Sequence, residues 1–119
     1  MKHDDAWNYF ATLYAEPGTA QALLARQDEQ GLDVVLHLFG RWAEHRGQPL
    51  DDAALAEADA LVRGWREEVV RPLRALRRKF KGLDADATRL AVVVADLHAA
   101  ELAAERAELE QLCDWLALR

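Results

Sequence analysis

Apolar residues recur at intervals of three and four along most of the chain, which is the spacing of one face of an α-helix. Trp7, Phe10, Leu13 and Tyr14 begin this pattern. Alanine, leucine, glutamate and arginine dominate the composition, and no segment shows the period of two that is typical of a strand. The pattern therefore predicts an all-α fold of about five helices.

Capping and turn residues divide the chain into segments. The predicted helices begin at Asp4 or Asp5, at Thr19, at Asp33, at Asp51 or Asp52, and at Asp84 or Asp86, and the breaks between them fall at Pro17-Gly18, Gly31, Gly47-Gln48-Pro49 and Gly82. Such spacing predicts one compact, bundle-like domain over residues 1–119, with 1–82 as its core and 83–119 as a long C-terminal helix.

The fourth helix carries an apolar stripe interrupted by a proline. The stripe consists of Val62, Trp65, Val69, Leu73, Leu76 and Phe80. Pro72 lies within it and removes one backbone hydrogen bond, so a kink is predicted there. Because the stripe continues past Pro72, a kinked helix is favoured over two separate helices.

The last helix changes its apolar face half-way along. Glu101 and Glu108 fall on the face that Leu90, Val94 and Leu97 begin, and a second stripe containing Leu109 is rotated from the first. A bend, a dimer contact and a terminal protrusion each explain this change. Trp115, near the C-terminus, adds to the expectation of a homodimer through this helix.

Length, charge and composition exclude several classes of protein for this chain. The chain has 119 residues and a net charge of −6, which is the size of one domain. Its longest purely apolar run, residues 90–95, is too short to cross a bilayer, so no membrane association is expected. A single cysteine, Cys113, excludes an intramolecular disulfide, and the N-terminus lacks the pattern of a secretory signal. A cytoplasmic location is therefore expected.

Charge is distributed unevenly, and this is the strongest functional signal in the chain. Residues 63–81 hold eight cations against two glutamates, a local charge of +6, so the remaining residues sum to −12. Such a concentration of arginine predicts a binding surface. The candidate binding residues, which the helical wheel places away from the apolar stripe, are Arg63, Arg71, Arg74, Arg78 and Lys81.

A second set of residues is predicted to form internal polar contacts. Arg66 and Arg77 border the apolar stripe, so they are expected to be half-buried and paired. Gln27 and Asp28 form a polar pair at the end of the second helix, and they are candidates for the same network.

The arginine-rich face has three interpretations. It could be a solvated face with partial salt bridges, a surface for a protein partner, or a site for an anionic ligand or nucleic acid. The favoured hypothesis is a non-enzymatic interaction or adaptor module with an unidentified protein partner. Nucleic acid is the alternative, and the net charge of −6 disfavours it.

Catalysis has little support in the sequence. The four histidines, His3, His37, His45 and His98, form no HxxxH, HExxH or ExxH pair. No metal, cofactor or catalytic residue is predicted. An enzyme that uses polar groups between Gln27-Asp28 and the arginines ranks last among the hypotheses.

Several segments together resemble a known family. They are Trp7, Phe10 and Tyr14, then Pro17-Gly18, LLARQDEQGLDV at 23–34, Leu38-Phe39 with Trp42, Leu50-Asp51, and WREEVVRPLRALRRKFK at 65–81. This set is similar to the DUF2390 family of uncharacterised bacterial proteins, over roughly the first two-thirds of the chain. The resemblance implies a cytoplasmic bacterial protein and supplies no activity, substrate or catalytic residue.

Overall fold

The computed structural model describes residues 2–83 and 87–119. Its helical elements are α1 (Lys2–Ala15), α2 (Thr19–Gln30), α3 (Val34–His45), α4 (Asp52–Trp65), a π-helical turn (Arg66–Val70), α5 (Arg71–Lys81) and α6 (Ala87–Ala117). Since α4, the π-helical turn and α5 follow one another without a break, the described residues form five helices and contain no strand. The all-α prediction is confirmed, and so is the long C-terminal helix.

Capping residues explain where α3 and α4 begin and where α2 ends. The Asp33 carboxylate accepts a hydrogen bond from the backbone N–H of Leu36 at 3.2 Å, which caps α3. Asp51 caps α4 in the same way through Ala54 at 2.8 Å. Gly31 ends α2 with φ 66°, a left-handed conformation that a residue without Cβ adopts at little cost.

The N-caps predicted for the first and the last helix are not among those that the structure shows. Helix α1 begins at Lys2, so Asp4 and Asp5 lie inside its first turn and not before it. The prediction that one of them is the N-cap is wrong, although carboxylates in the first turn still complement the helix dipole. The predicted caps Asp84 and Asp86 lie outside the described residues.

The hydrophobic core lies between α1, α3, α4 and the second half of α6. Its members include Phe10, Leu38, Phe39, Trp42, Val62, Leu109, Leu112 and Leu116. Trp115 packs against it, with its ring centroid 6.4 Å from that of Phe39, and its indole N–H donates to Glu57 at 3.2 Å. Trp115 is therefore an internal contact of the fold.

Where the sequence predicts a kink at Pro72, the structure has a π-helical turn just before that residue. The backbone N–H of Arg71 donates to the carbonyl of Arg66, five residues earlier. A π turn holds about one residue more than an α turn, so the following residues lag by about 100° relative to an uninterrupted α-helix. Pro72, which has no N–H to give, is the second residue of α5, directly after this turn.

One part of the molecule has no buried side chains. Helix α5 buries none, and neither does α6 over residues 89–100. Helix α5 packs on α6. We refer to residues 71–81 and 89–100 together as the arm. Helix α6 is about 46 Å long at 1.5 Å per residue, nearly the full 50 Å length of the molecule.

In the part of the chain that the structure describes, no helix combines the length and the apolar character needed to span a membrane.

Candidate functional site

Two α5 arginines pair with one nearly inaccessible glutamate of α6. Arg77 Nε donates to one carboxylate oxygen of Glu101, and Arg74 Nε donates to the other at 3.1 Å. Glu101 is only 4% exposed. Burial alone would raise the pKa of Glu101, but the hydrogen bonds and charges of Arg77 and Arg74 outweigh it and hold that pKa below its usual value. Glu101 is therefore a charged group that joins α5 to α6.

A third arginine joins the π-helical turn to α3 and α4. Arg66 Nε donates to Asp33 at 2.7 Å, and Arg66 Nη2 donates to Asp59. Asp59 also accepts from Arg63 at 2.7 Å. The hydrogen bond from Arg63, together with the charges of both arginines, lowers the pKa of Asp59 in spite of its partial burial. These contacts hold the end of α4 and the start of the π-helical turn in place, just before that turn rotates the residues that follow.

Two further glutamates of α6 have raised pKa values. Glu108 is fully buried, and burial, followed by the proximity of Asp33, raises its pKa to about 9. Neither of its carboxylate oxygens meets a hydrogen-bond donor among the described residues. A pKa raised this far favours a protonated Glu108, whose O–H can donate a hydrogen bond to Asp33. Burial, followed by the charge of Glu101, raises the pKa of Glu105 to about 7.

An apolar groove lies beside this charge network. It has a volume of about 290 Å³ and runs between α1, α2, α3 and α6. Its walls are mainly apolar and include Trp7, Phe10, Leu24, Val35, Leu38 and Leu102. Its polar residues are Tyr14, Gln27, His98, Glu101 and Glu105. Glu101 and Glu105 therefore belong to both the charge network and the groove.

Tyr14 and Gln27 connect the groove to the arginines. Burial, followed by the charge of Glu105, raises the pKa of the Tyr14 hydroxyl. In the amide orientation that satisfies both side chains, the Gln27 oxygen accepts from Arg74 Nη1 at 3.1 Å and shares the single Nε hydrogen, at 2.7 Å, with Glu101. The groove thus combines apolar walls with hydrogen-bonding groups at one side, which is the general character of ligand sites.

Comparison with known proteins gives one match. A family model, described as a protein of unknown function (DUF2390), matches residues 5–112. The chain belongs to the DUF2390 family. The match includes every network and groove residue described above and extends well into α6, beyond the two-thirds of the chain that the sequence motifs cover. No curated protein and no solved structure matches the chain significantly.

The DUF2390 chain brings some of the predicted binding residues to its surface. Arg63, Arg71 and Arg78 are exposed and pair with carboxylates of the same chain, at 2.7 to 2.9 Å. Their partners are Asp59, Glu67 and Asp28, respectively. Lys81 is exposed and has no ion pair within the described residues.

Arg74 departs from the predicted placement. The wheel put it on the outer arc, but its side chain is only 17% exposed and contacts Glu101 and Glu105. The π-helical turn is the physical reason, because it turns the face of α5 that carries Arg74 towards α6. A helical wheel drawn at a constant 100° per residue does not contain that offset.

The four residues predicted to form one internal polar network have different partners in the structure. Arg66 and Arg77 are indeed half-buried and paired, but with Asp33, Asp59 and Glu101. Asp28 meets Arg78, and Gln27 meets Arg74. The four residues therefore do not form one site.

The carboxylates of α6 were missing from the predicted site. Their signal was visible, since Glu101 and Glu108 fall on an otherwise apolar face. That face was interpreted as a bend, a dimer contact or a protrusion. In the structure α6 is one continuous helical element, Glu101 pairs with Arg74 and Arg77, and Glu108 is buried near Asp33. In the described ranges, no group of three or more His, Cys, Asp and Glu residues is arranged to hold a metal ion.

Proposed function

We propose that this DUF2390 protein is a non-enzymatic interaction module that binds an acidic protein surface through its arm. The observation that carries the proposal is the exposure of large apolar side chains on and beside a stretch that buries none. Leu76, Val92 and Val93 are 43%, 59% and 42% exposed, and Leu83, at the end of α5, is 49% exposed. Apolar side chains beside basic ones are typical of a protein interface with a polar rim.

Charge favours an acidic partner. Lys79 and Lys81 are exposed and have no ion pair in the described part of the chain. Arg71 and Arg78 form exposed pairs, which contribute little to stability and can be exchanged for a partner's carboxylates at small cost. These four cations lie on the same helix as Leu76, so apolar and electrostatic contacts could act together.

Nucleic acid is the second candidate, and the net charge of the chain disfavours it. That charge is −6, which opposes non-specific attraction to a polyanion. We further propose a bacterial cytoplasm as the location, in keeping with the family resemblance.

The experiment compares two charge variants. Lys79→Glu with Lys81→Glu reverses two arm cations, and Arg26→Glu with Arg41→Glu makes the same change of charge at exposed positions of α2 and α3. Each protein is immobilised, its bound proteins are recovered from a bacterial lysate, and the dominant partner is purified for titration calorimetry. We expect the arm variant to lose the partner and the control variant to keep it.

A second pair of variants tests the apolar contribution. Leu76→Ser with Val93→Ser should weaken binding of the purified partner, and Leu61→Ser, an equally exposed position on α4, should leave it unchanged. Equal binding by all variants would remove the arm from the interface. Light scattering of the isolated protein distinguishes a second copy of this chain, the homodimer that the sequence predicts through α6, from another partner.

The nucleic-acid alternative has its own readout. Fluorescence anisotropy with labelled single-stranded RNA and duplex DNA at 50 mM salt should show no binding. Binding that is lost at about 200 mM salt and in the Lys79→Glu, Lys81→Glu variant would favour the alternative over a protein partner.

A further inference from the structure

The groove between α1, α2, α3 and α6 is separate from the exposed cations of the arm and has its own chemistry. Its volume of about 290 Å³ is close to the lower end of small-molecule sites. Aromatic and aliphatic side chains cover most of its wall, with Trp7 and Phe10 on one side and Val35 and Leu38 on another. Such a wall suits the apolar body of a ligand.

The two carboxylates of the groove differ in how well they are paired. Glu101 accepts hydrogen bonds from both Arg74 and Arg77. Glu105 has one cation nearby, Arg74 Nη2 at 3.5 Å, which is at the limit of hydrogen-bonding distance. Its side chain is 22% exposed and lines the groove. Glu105 is therefore the groove carboxylate with acceptor capacity to spare.

The charge of Glu105 is only partly compensated. The titratable and charged groups that influence it or line the groove with it are Tyr14 of α1, Asp33 before α3, Arg74 and Arg77 of α5, and His98, Glu101 and Glu108 of α6. Asp33 is paired with Arg66, whereas Glu101 accepts from both Arg74 and Arg77. Glu105 therefore shares Arg74 with a second carboxylate in a partly buried site, which favours either a proton or a further cation beside it.

We propose that the groove binds a small molecule with an apolar body and a primary ammonium group, with the ammonium paired to Glu105. The body lies against Trp7, Phe10 and Leu38. The Tyr14 hydroxyl lines the same groove and can accept a further hydrogen bond from the ammonium.

Three probes of equal length test the charge requirement. Hexylamine, hexanol and hexanoate share a six-carbon chain and differ in their head group. Binding to the full-length protein is measured at pH 8 by titration calorimetry and by saturation-transfer NMR. We expect hexylamine to bind about tenfold more tightly than hexanol, the advantage of a charge-assisted hydrogen bond, and hexanoate to bind least.

Two variants assign the contact to this groove. Glu105→Gln should bind hexylamine and hexanol equally, while Glu29→Gln, an exposed carboxylate on α2, should keep the tenfold preference. Ala11→Trp, at an exposed position that lines the groove, should weaken both probes by filling the space. Circular dichroism confirms that each variant is folded.

The pH dependence provides an independent readout. Glu105 must ionise to pair with an ammonium, and hexylamine stays charged throughout this range. With a pKa of about 7 for Glu105, hexylamine affinity should fall about fivefold between pH 8 and pH 6, towards the affinity of hexanol, which stays constant. The proposal is overturned by no binding at 10 mM, by equal affinity for hexanoate, by a preference that survives Glu105→Gln, or by a flat pH profile. None of these results bears on the arm.

Discussion

Asp33 holds two parts of the molecule with its two carboxylate oxygens. One accepts from the Leu36 backbone N–H at 3.2 Å and caps α3, and the other accepts from Arg66 Nε at 2.7 Å. The start of α3 and the first residue of the π-helical turn are thereby fixed to the same side chain. Since Arg66 is only 11% exposed, the contact is well shielded from solvent.

Replacing Asp33 should separate its two roles. Asp33→Ala removes both the cap and the partner of a buried arginine, and we expect it to lower the free energy of unfolding by about 3 kcal/mol. Asp33→Asn keeps a capping oxygen and loses the charge, so its loss should be smaller by about 1 kcal/mol. Urea unfolding at pH 7 measures both values. Equal losses in the two variants would show that the cap contributes nothing.

Neutralising Glu101 should destabilise the contact between α5 and α6. Glu101→Gln leaves Arg77 without its carboxylate partner and Arg74 with only the longer contact to Glu105, at a cost of about 3 kcal/mol at pH 7. Because the folded pKa of Glu101 is below its ordinary value of 4.5, its contribution is present above pH 4.5 and is lost as the pH falls through the folded value. Urea unfolding between pH 3 and 7 should show the two proteins converging in acid. Glu29→Gln, exposed on α2, should match the wild type throughout.

Glu108 should have the opposite pH dependence. Its pKa rises from an ordinary 4.5 when unfolded to about 9 when folded, so the folded state binds the extra proton between these values. Stability from this group is therefore complete below pH 4.5 and declines as the pH rises towards 9. Glu108→Gln should be more stable than the wild type by at least about 1 kcal/mol at pH 8, and this advantage should shrink towards pH 5. Parallel stability curves would contradict the raised pKa.

The arm should open more readily than the rest of the molecule. It buries no side chain, whereas the second half of α6 contributes Leu109, Leu112 and Leu116 to the core. Hydrogen exchange followed by mass spectrometry should show amides of residues 71–81 and 89–100 exchanging at least about tenfold faster than those of 104–116. Uniform protection along α6 would mean that the arm is as stable as the core, and it would weaken the case for an exposed binding element.

The sequence predicts correctly those features of the fold that depend on residues close together along the chain. The caps Asp33 and Asp51 and the stop at Gly31 follow from the chemistry of a few adjacent residues, and the structure has all three. The all-α class follows from the spacing of apolar residues in the same way. These features depend on local geometry, so one chain suffices to find them.

The charge network was harder to predict from the sequence because the residues that pair are distant along the chain. Arg66 and Asp33 are separated by 33 residues, and Arg77 and Glu101 by 24. A glutamate on an apolar face indicates that some partner exists, but its identity depends on how the helices pack. The inward position of Arg74 was hidden for a different reason, because it requires a π-helical turn that no residue between 66 and 70 announces.

That turn also determines where this helix can change its length. The π-helical turn contains about one residue more than an α-helical turn needs. In a Pro72→Ala background, deleting one residue between 66 and 70 would therefore leave Arg74 and Arg77 facing α6, whereas a deletion inside α5 would rotate the residues after it by about 100°. The chain keeps a spare residue at the junction between its core and its arm, so once Pro72 is replaced, a single-residue deletion in this helix should be tolerated there and nowhere further along it.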